Sequence, residues 1–227
     1  MAMNFDIIMG LDLGEIHDYS AVAVLERVTL PDSTAPARYF CRHLQRWPLA
    51  SAYPQIIEDV HQLVTTIDGR GCQPLQFARL VVDATGVGKP VAQMLELVDA
   101  LAGRIVPVVI TAGQASTIGN DGTLRVPKRE LVSSLQVLLQ SRRLQVAAAL
   151  EHAATLVQEL RTFRIKITTE GNETFEAWRD RDHDDLLMAL AVAVWHAEKT
   201  PPQTSEGPTV LCPGRTDSFS SPRYGSW

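Results

Sequence analysis

The 227-residue chain is 45% hydrophobic and 21% charged, the balance of a folded globular protein rather than a disordered one, and it is long enough for one substantial core or two small ones. Its formal net charge of −5 argues against the broad basic footprint that phosphate backbones select, although a carboxylate-rich cation site would itself make a chain acidic. Cys41, Cys72 and Cys212 show no zinc spacing and form no disulfide framework, which implies reduced thiols and a cytoplasmic setting. No basic-then-apolar leader opens the sequence, and no apolar run reaches the roughly 20 residues that span a bilayer. A membrane partner is therefore not expected.

In chain order, residues 5–13 (FDIIMGLDL) form an apolar run closed by an acid and Gly14, the pattern of a buried strand and its turn. Residues 21–29 and 38–47 supply two more strands, and the three together predict an antiparallel meander. Apolar residues at Ile56, Ile57, Val60, Leu63, Val64 and Ile67 recur at helical spacing. Residues 80–83 (LVVD) are a fully apolar strand ending in an acid. After a Gly86-Val87-Gly88 turn, Pro90 suits the first turn of a helix reaching about Leu101. Residues 105–110 (IVPVVI) return as a strand, so this strand–helix–strand unit predicts parallel pairing.

The segment 111–126 is glycine-rich and polar and reads as a loop or exposed hairpin rather than core. Pro127 then opens a helix to about Ser141, and a further helix covers 151–163. Residues 163–169 and 174–178 flank a Gly171-Asn172 turn as a hairpin. Residues 184–198 form a strongly apolar helix, and beyond Thr200 the Pro-, Ser- and Gly-rich composition predicts a disordered tail. The expected organisation is one domain over 1–199 and a tail over 200–227.

Asp12 and Asp83 each end an apolar strand, at the sheet edge where α/β folds bind ligands. Asp185 begins the last long helix, where exposed amides favour a carboxylate. Three acids from separate regions converging there would repel one another unless cations lay between them. Hard oxygen donors of this kind suit Mg2+ or Mn2+. A pair of such ions about 4 Å apart can activate water and stabilise the leaving oxygen of a phosphodiester. Each acid has an ordinary alternative, as a turn residue or a helix cap, so their order along the strand pattern carries the argument.

Asp182 and Asp184 are further candidate ligands, since Asp182 would share a helical face with Asp185, and His183 is a candidate outer-shell group. The Gly86–Lys89 stretch lacks the GxxxxGK[ST] spacing of a phosphate loop, and Pro90 stands where Ser or Thr is needed. Lys89 instead reads as a DNA phosphate contact. Arg125, Lys128 and Arg129, with Arg179 and Arg181, form two basic groups that would make a backbone track toward the metals.

The stretches DATGVGKPV (83–91), VPKRELVSSLQVLLQ (126–140) and EAWRDRDHDDLLMALAVAVW (176–195) resemble the nuclease domain of phage terminase large subunits, over about residues 9–196. The HDDxxxALAxAxW pattern is the most specific. The resemblance implies a ribonuclease H-like α/β fold, a mixed central sheet flanked by helices with an added hairpin or loop. It implies an endonuclease that cuts double-stranded DNA during packaging, with Asp12, Asp83 and Asp185 as catalytic metal ligands for two Mg2+ or Mn2+ ions. Related resolvases carry an Asp three residues after the helix ligand. Met188 stands there in this chain, so a fourth ligand has to come from Asp182, Asp184 or elsewhere. A packaging ATPase, a small terminase subunit and a portal are the partners implied, in a host cytoplasm. The chain has neither Walker A spacing nor room for the packaging ATPase, which suggests an excised domain or a separately encoded nuclease. The alternatives are a resolvase-like nuclease for branched DNA and a non-catalytic module of the packaging motor.

Overall fold

The computed structural model describes residues 4–30, 35–69, 77–120, 122–167, 173–177 and 183–202. Strand β1 (Asn4–Asp12) alternates between two cores: Ile7, Met9 and Leu11 enter one, and Ile8 enters the other. A strand covered on both faces has no polar side to show, which is why its sequence is a continuous apolar run. β2 (Ala21–Thr29) and β3 (Arg38–Arg46) follow as the expected antiparallel meander. β4 (Phe77–Asp83) pairs parallel to β1 on its other side, and β5 (Ile105–Thr111) pairs parallel to β4.

On the Leu11 face lie α1 (Tyr53–Gly69), through Ile56, Val60 and Val64, and α2 (Gly88–Glu96), through Val91, Ala92 and Leu95. The helix expected to reach about Leu101 stops at Glu96. The Glu96 carboxylate accepts the N–H of Gly103 at 2.7 Å, and Gly103 turns left-handed at φ +70, redirecting the chain into β5. Such a φ is open to glycine at little cost.

The segment 111–126 is partly corrected. β6 (Thr117–Ile118) and β7 (Leu124–Pro127) do make a hairpin, but β7 also pairs parallel to β5, and Val126 is fully buried in the core. Pro127 ends that strand, and the next helix, α3 (Lys128–Gln140), starts one residue later. β8 (Leu144–Val146) was not expected from the sequence: three residues are too few to show a period. It closes the far edge beside β3, giving the order β6-β7-β5-β4-β1-β2-β3-β8. After α4 (Ala153–Thr162), β9 (Phe163–Ile167) and β10 (Glu173–Ala177) form the expected hairpin as a separate two-stranded sheet.

The second face of the main sheet is covered by α3, α4 and α5 (Asp185–Lys199). Every residue of α5 from Asp185 to Ala197 is buried, as a helix apolar all round requires. It lies close on β1 because Gly10 has no side chain: a Cβ there would stand 1.9 Å from the Ala189 carbonyl oxygen. At its far end, the buried Arg27 side chain pairs with Asp6 and donates to the carbonyl oxygens of Ala197 and Thr200, both at 2.6 Å. Carbonyls that have no partner within the helix are thereby satisfied. No helix among the described residues is long and apolar enough to cross a membrane. The tail expected beyond Thr200 lies outside the described residues from 203 onward.

Candidate active site

Because side chains alternate along a strand, Asp12 shares the α5 face of β1 with Ile8 and Gly10, and Asp83 shares that face of β4 with Val81. The last registered pair of these strands is Leu11 with Val82, so the two acids come next, side by side, at the carboxyl ends of adjacent parallel strands. Across the sheet in the other direction, Asp12 pairs with Ala21 and Ala21 with Arg46. Asp83, Asp12, Ala21 and Arg46 thus form one row beneath the start of α5.

The Asp83 carboxylate accepts the Thr85 N–H at 2.8 Å and shares a hydrogen bond with the Asp12 carboxyl. Gly88 is required just beyond, since a Cβ there would lie 1.8 Å from the Asp83 carbonyl oxygen. Above the row, α5 begins with Asp184 at its N-cap and Asp185 at its first position. The Lys128 ammonium donates to Asp184 Oδ2 at 2.8 Å, and Arg46 Nη2 donates to Asp185 Oδ2 at 3.0 Å. The same Arg46 nitrogen pairs with Glu159 of α4, whose other carboxylate oxygen accepts the Leu187 N–H at 2.8 Å. The Arg46 guanidinium also lies over the Tyr19 ring, 4.6 Å from its centroid.

These carboxylates feel one another. Asp12 keeps some solvent contact, but burial first, and then the charges of Asp83, Asp185 and Asp184, push its carboxyl well above the usual range, against the pull of Lys128. Burial likewise raises Asp83, partly offset by its bonds to Thr85. Asp185 is pushed up to about 6, by burial with Asp184 adding, despite Arg46 and His183. Glu159 is pushed up to about 7, burial outweighing its bond to Leu187 and its pairing with Arg46. Burial is the first cause at each of the four, and neighbouring carboxylates add to it at Asp12, Asp185 and Glu159.

Among the described residues, no three His, Cys, Asp or Glu side chains converge as an ion's coordination shell requires. Asp184 and Asp185 turn their oxygens to Lys128 and Arg46 instead. In donor chemistry the set still fits a hard divalent cation, being all carboxylate oxygen with no sulfur or imidazole among the central acids. Burial opposes ionisation of Asp12 and Asp83, and a divalent cation beside them would favour it.

Of the residues singled out from sequence, Asp12, Asp83, Asp184, Asp185 and Lys128 come together. Lys128 meets a carboxylate within the site, where a DNA phosphate had been expected, and its ammonium also stands 5.4 Å from the Phe163 ring centroid. His183 sits at the rim, edge-on to Tyr19 at 4.6 Å and 3.9 Å from Asp18 Oδ1. Lys89 and Arg125 are exposed, and Arg129 is held by the Gln114 carbonyl. Asp182, Arg179 and Arg181 lie outside the described residues. The helix α5 begins only at Asp185. Met188 is buried in the apolar core, so a carboxylate at that position would face hydrocarbon.

Arg46 and Glu159 were missed. Each left a trace: Arg46 follows Leu44 on the inward side of β3, and Glu159 shares the buried face of α4 with Ala153 and Leu156. A charge on a core-facing position needs a partner.

No family model matches the sequence. Two curated relatives do, the terminase large subunits of Thermus phage G20c, 27% identical, and Thermus virus P23-45, 28% identical, each over 185 residues and 82% of this chain. The chain spans 30% of the length of each. Among solved structures, the large terminase nuclease of thermophilic phage G20c with bound magnesium superposes with a TM-score of 0.54 at 25% identity, covering 84% of this chain and 80% of that one. The HK97 bacteriophage large terminase shares the fold at a TM-score of 0.54 and 11% identity, covering 86% of this chain and 40% of that one. The mixed eight-stranded sheet flanked by helices is the ribonuclease H-like arrangement of these nuclease domains. In sequence and in fold, the chain is similar to the nuclease domain of phage terminase large subunits.

Proposed function

We propose that the chain is a divalent-metal-dependent endonuclease domain that cuts double-stranded DNA during phage genome packaging, by two-metal phosphodiester hydrolysis. The observation that carries this reading is the pairing of Asp12 and Asp83, side by side and largely buried, beneath the acidic start of α5. Asp12, Asp83 and Asp185 are the catalytic ligands in this reading, and Asp184 the additional one. Bound Mg2+ or Mn2+ would supply an activated water and stabilisation of the departing oxygen. The protein supplies position: two acids fixed by adjacent strands and two by a helix anchored in the core, all on elements that cannot drift apart. Lys128 holds a positive charge at Asp184 and moderates repulsion until cations arrive. His183, with its imidazole at the rim, is suited to contact a phosphate or an outer-shell water. Lys89, Arg125 and Arg129 would contact the DNA backbone, a sequence-independent role. Packaging ATPase, small subunit and portal are the partners this reading implies, supported by the terminase large subunits among the relatives.

The test is cleavage of supercoiled plasmid in Mg2+, Mn2+ or EDTA, by the parent and by Asp83→Ala and Asp185→Ala. Nicked and linear products should require metal and vanish in both variants. Undiminished cutting by both variants would remove the acids from the mechanism. A four-way junction cleaved in preference to linear duplex would favour the branched-DNA reading.

A further inference from the structure

The start of α5 has an unusual division of labour. An Asp at an N-cap ordinarily turns its carboxylate back onto the N–H of the second or third helical residue. Asp184 occupies that position and makes no such bond. Its Oδ2 is engaged by Lys128 in the acidic site instead. The Leu187 N–H, at the third helical position, is satisfied from another element: Glu159 of α4, 28 residues earlier in sequence, accepts it at 2.8 Å. That bond is buried, so water offers no substitute.

The second Glu159 oxygen faces Arg46 Nη2, and the same nitrogen reaches Asp185 Oδ2 at 3.0 Å. Both oxygens of Glu159 are therefore committed, one to the helix and one to the guanidinium. A carboxylate on the inward face of α4 thus fixes the helix start, and Arg46 links it to the acid of the first turn.

We propose that Glu159 is a positioning residue of the candidate metal centre, capping α5 from α4 so that the Asp184 carboxylate is released from helix capping to serve the site, while Arg46 links it to Asp185. This rests on the nuclease reading above. Under it, Glu159 touches neither ion nor DNA; it acts through the two aspartates.

Two substitutions separate the bonds that Glu159 makes. Glu159→Gln keeps an oxygen for the Leu187 N–H and loses the charge opposite Arg46. Glu159→Asp keeps the charge but withdraws it by about 1.5 Å, a C–C bond length, breaking the helix bond. The readout is Mn2+ binding to the full chain by titration calorimetry without DNA, alongside thermal unfolding and amide exchange at Leu187. Glu159→Asp should bind Mn2+ about tenfold more weakly or worse, the range typical of groups that orient metal ligands, with faster exchange at Leu187. Glu159→Gln should stay within about threefold of the parent. The proposal is overturned if Glu159→Asp binds as the parent does, or if Glu159→Gln loses as much.

Asp83→Ala, measured in parallel, tests the underlying site. If it binds Mn2+ like the parent, the metal-centre reading fails first. If it loses binding while Glu159→Asp does not, the positioning role alone fails. Asp184→Ala guards against a variant that does not fold. Since Asp184 is not the cap, its removal should leave the melting temperature in EDTA within about 2 °C while weakening Mn2+ binding. A larger drop, of the roughly 2–4 °C that losing a cap worth about 1 kcal/mol costs in a chain of this length, would overturn the proposal.

Discussion

Asp185 gives a measurable signature of the crowded carboxylates without any metal or DNA. Its carboxyl is raised from 3.8 to about 6, chiefly by burial, against the pull of Arg46 and His183, with Asp184 adding a smaller push. An acid whose folded pKa exceeds its unfolded value binds more protons in the folded state. Its stability contribution is therefore intact at low pH and is lost as pH rises from the unfolded value toward about 6. At 1.36 kcal/mol per pH unit, the complete loss is roughly 3 kcal/mol, of which roughly 2 kcal/mol falls between about pH 4.5 and 7.5. Asp185→Asn removes the titration. Urea unfolding of parent and variant in EDTA, with stabilities extrapolated to water, gives the difference at each pH. Stability of the variant relative to the parent should improve by roughly 2 kcal/mol across that interval. His196, lowered to about 4 by burial and by Arg27 and Arg79, works in the opposite sense, with stability rising as pH climbs from about 4 through the unfolded value of 6.5. It is common to both proteins and drops out of the difference. A parent-to-variant difference that stays flat to within about 0.5 kcal/mol, the resolution of such extrapolations, would refute the argument that Asp185 is held in a desolvated, negatively charged setting.

Gly10→Ala should cost at least roughly 2–3 kcal/mol, read as the urea midpoint, because the new methyl meets the Ala189 backbone rather than a movable side chain. Arg27→Met strands Asp6 in the core and frees the carbonyls at the end of α5, so a loss of roughly 3–5 kcal/mol is expected in the same assay. Lys128→Ala deletes the cation nearest Asp184. The melting temperature in EDTA should fall, and the upward shift on adding Mn2+ should exceed the parent's; an unchanged shift would mean that Lys128 and the ion do not share the same charge.

Much of the molecule could be read from the chain because its central elements are buried on all sides. β1 and β4 announce themselves as apolar runs ending in Asp12 and Asp83, and α5 as a helix without a polar face. Their acids interrupt hydrocarbon, and such interruptions are visible. Arg46, Glu159 and Lys128 are a different case. Each lies at the end of, or within, an element that reads as ordinary, and its role depends on a partner 28 to 139 residues away. Local spacing carries no information about which charges meet when three helices pack on one face. The parallel pairing of β7 with β5, and the whole of β8, escaped for a related reason: strands of four and three residues are stabilised by the neighbour they join, not by a pattern of their own. Strand and helix placement, with the family resemblance, singled out the acids; packing brings Arg46 and Glu159 beside them.

The position of α5 has a consequence for how the protein is made. It follows every strand of the main sheet in the chain, yet it covers one face of that sheet's centre and carries two of the four clustered acids. During synthesis, β1 and β4 can pair long before this helix leaves the ribosome, while Asp184 and Asp185 have not yet arrived. The contacts of the α5 start with β1, β4 and Arg46 span more than a hundred residues and are the slow, late kind. A nascent or partly folded chain therefore has Asp12 and Asp83 but not the cluster, so assembly of the acidic centre is tied to completion of the fold.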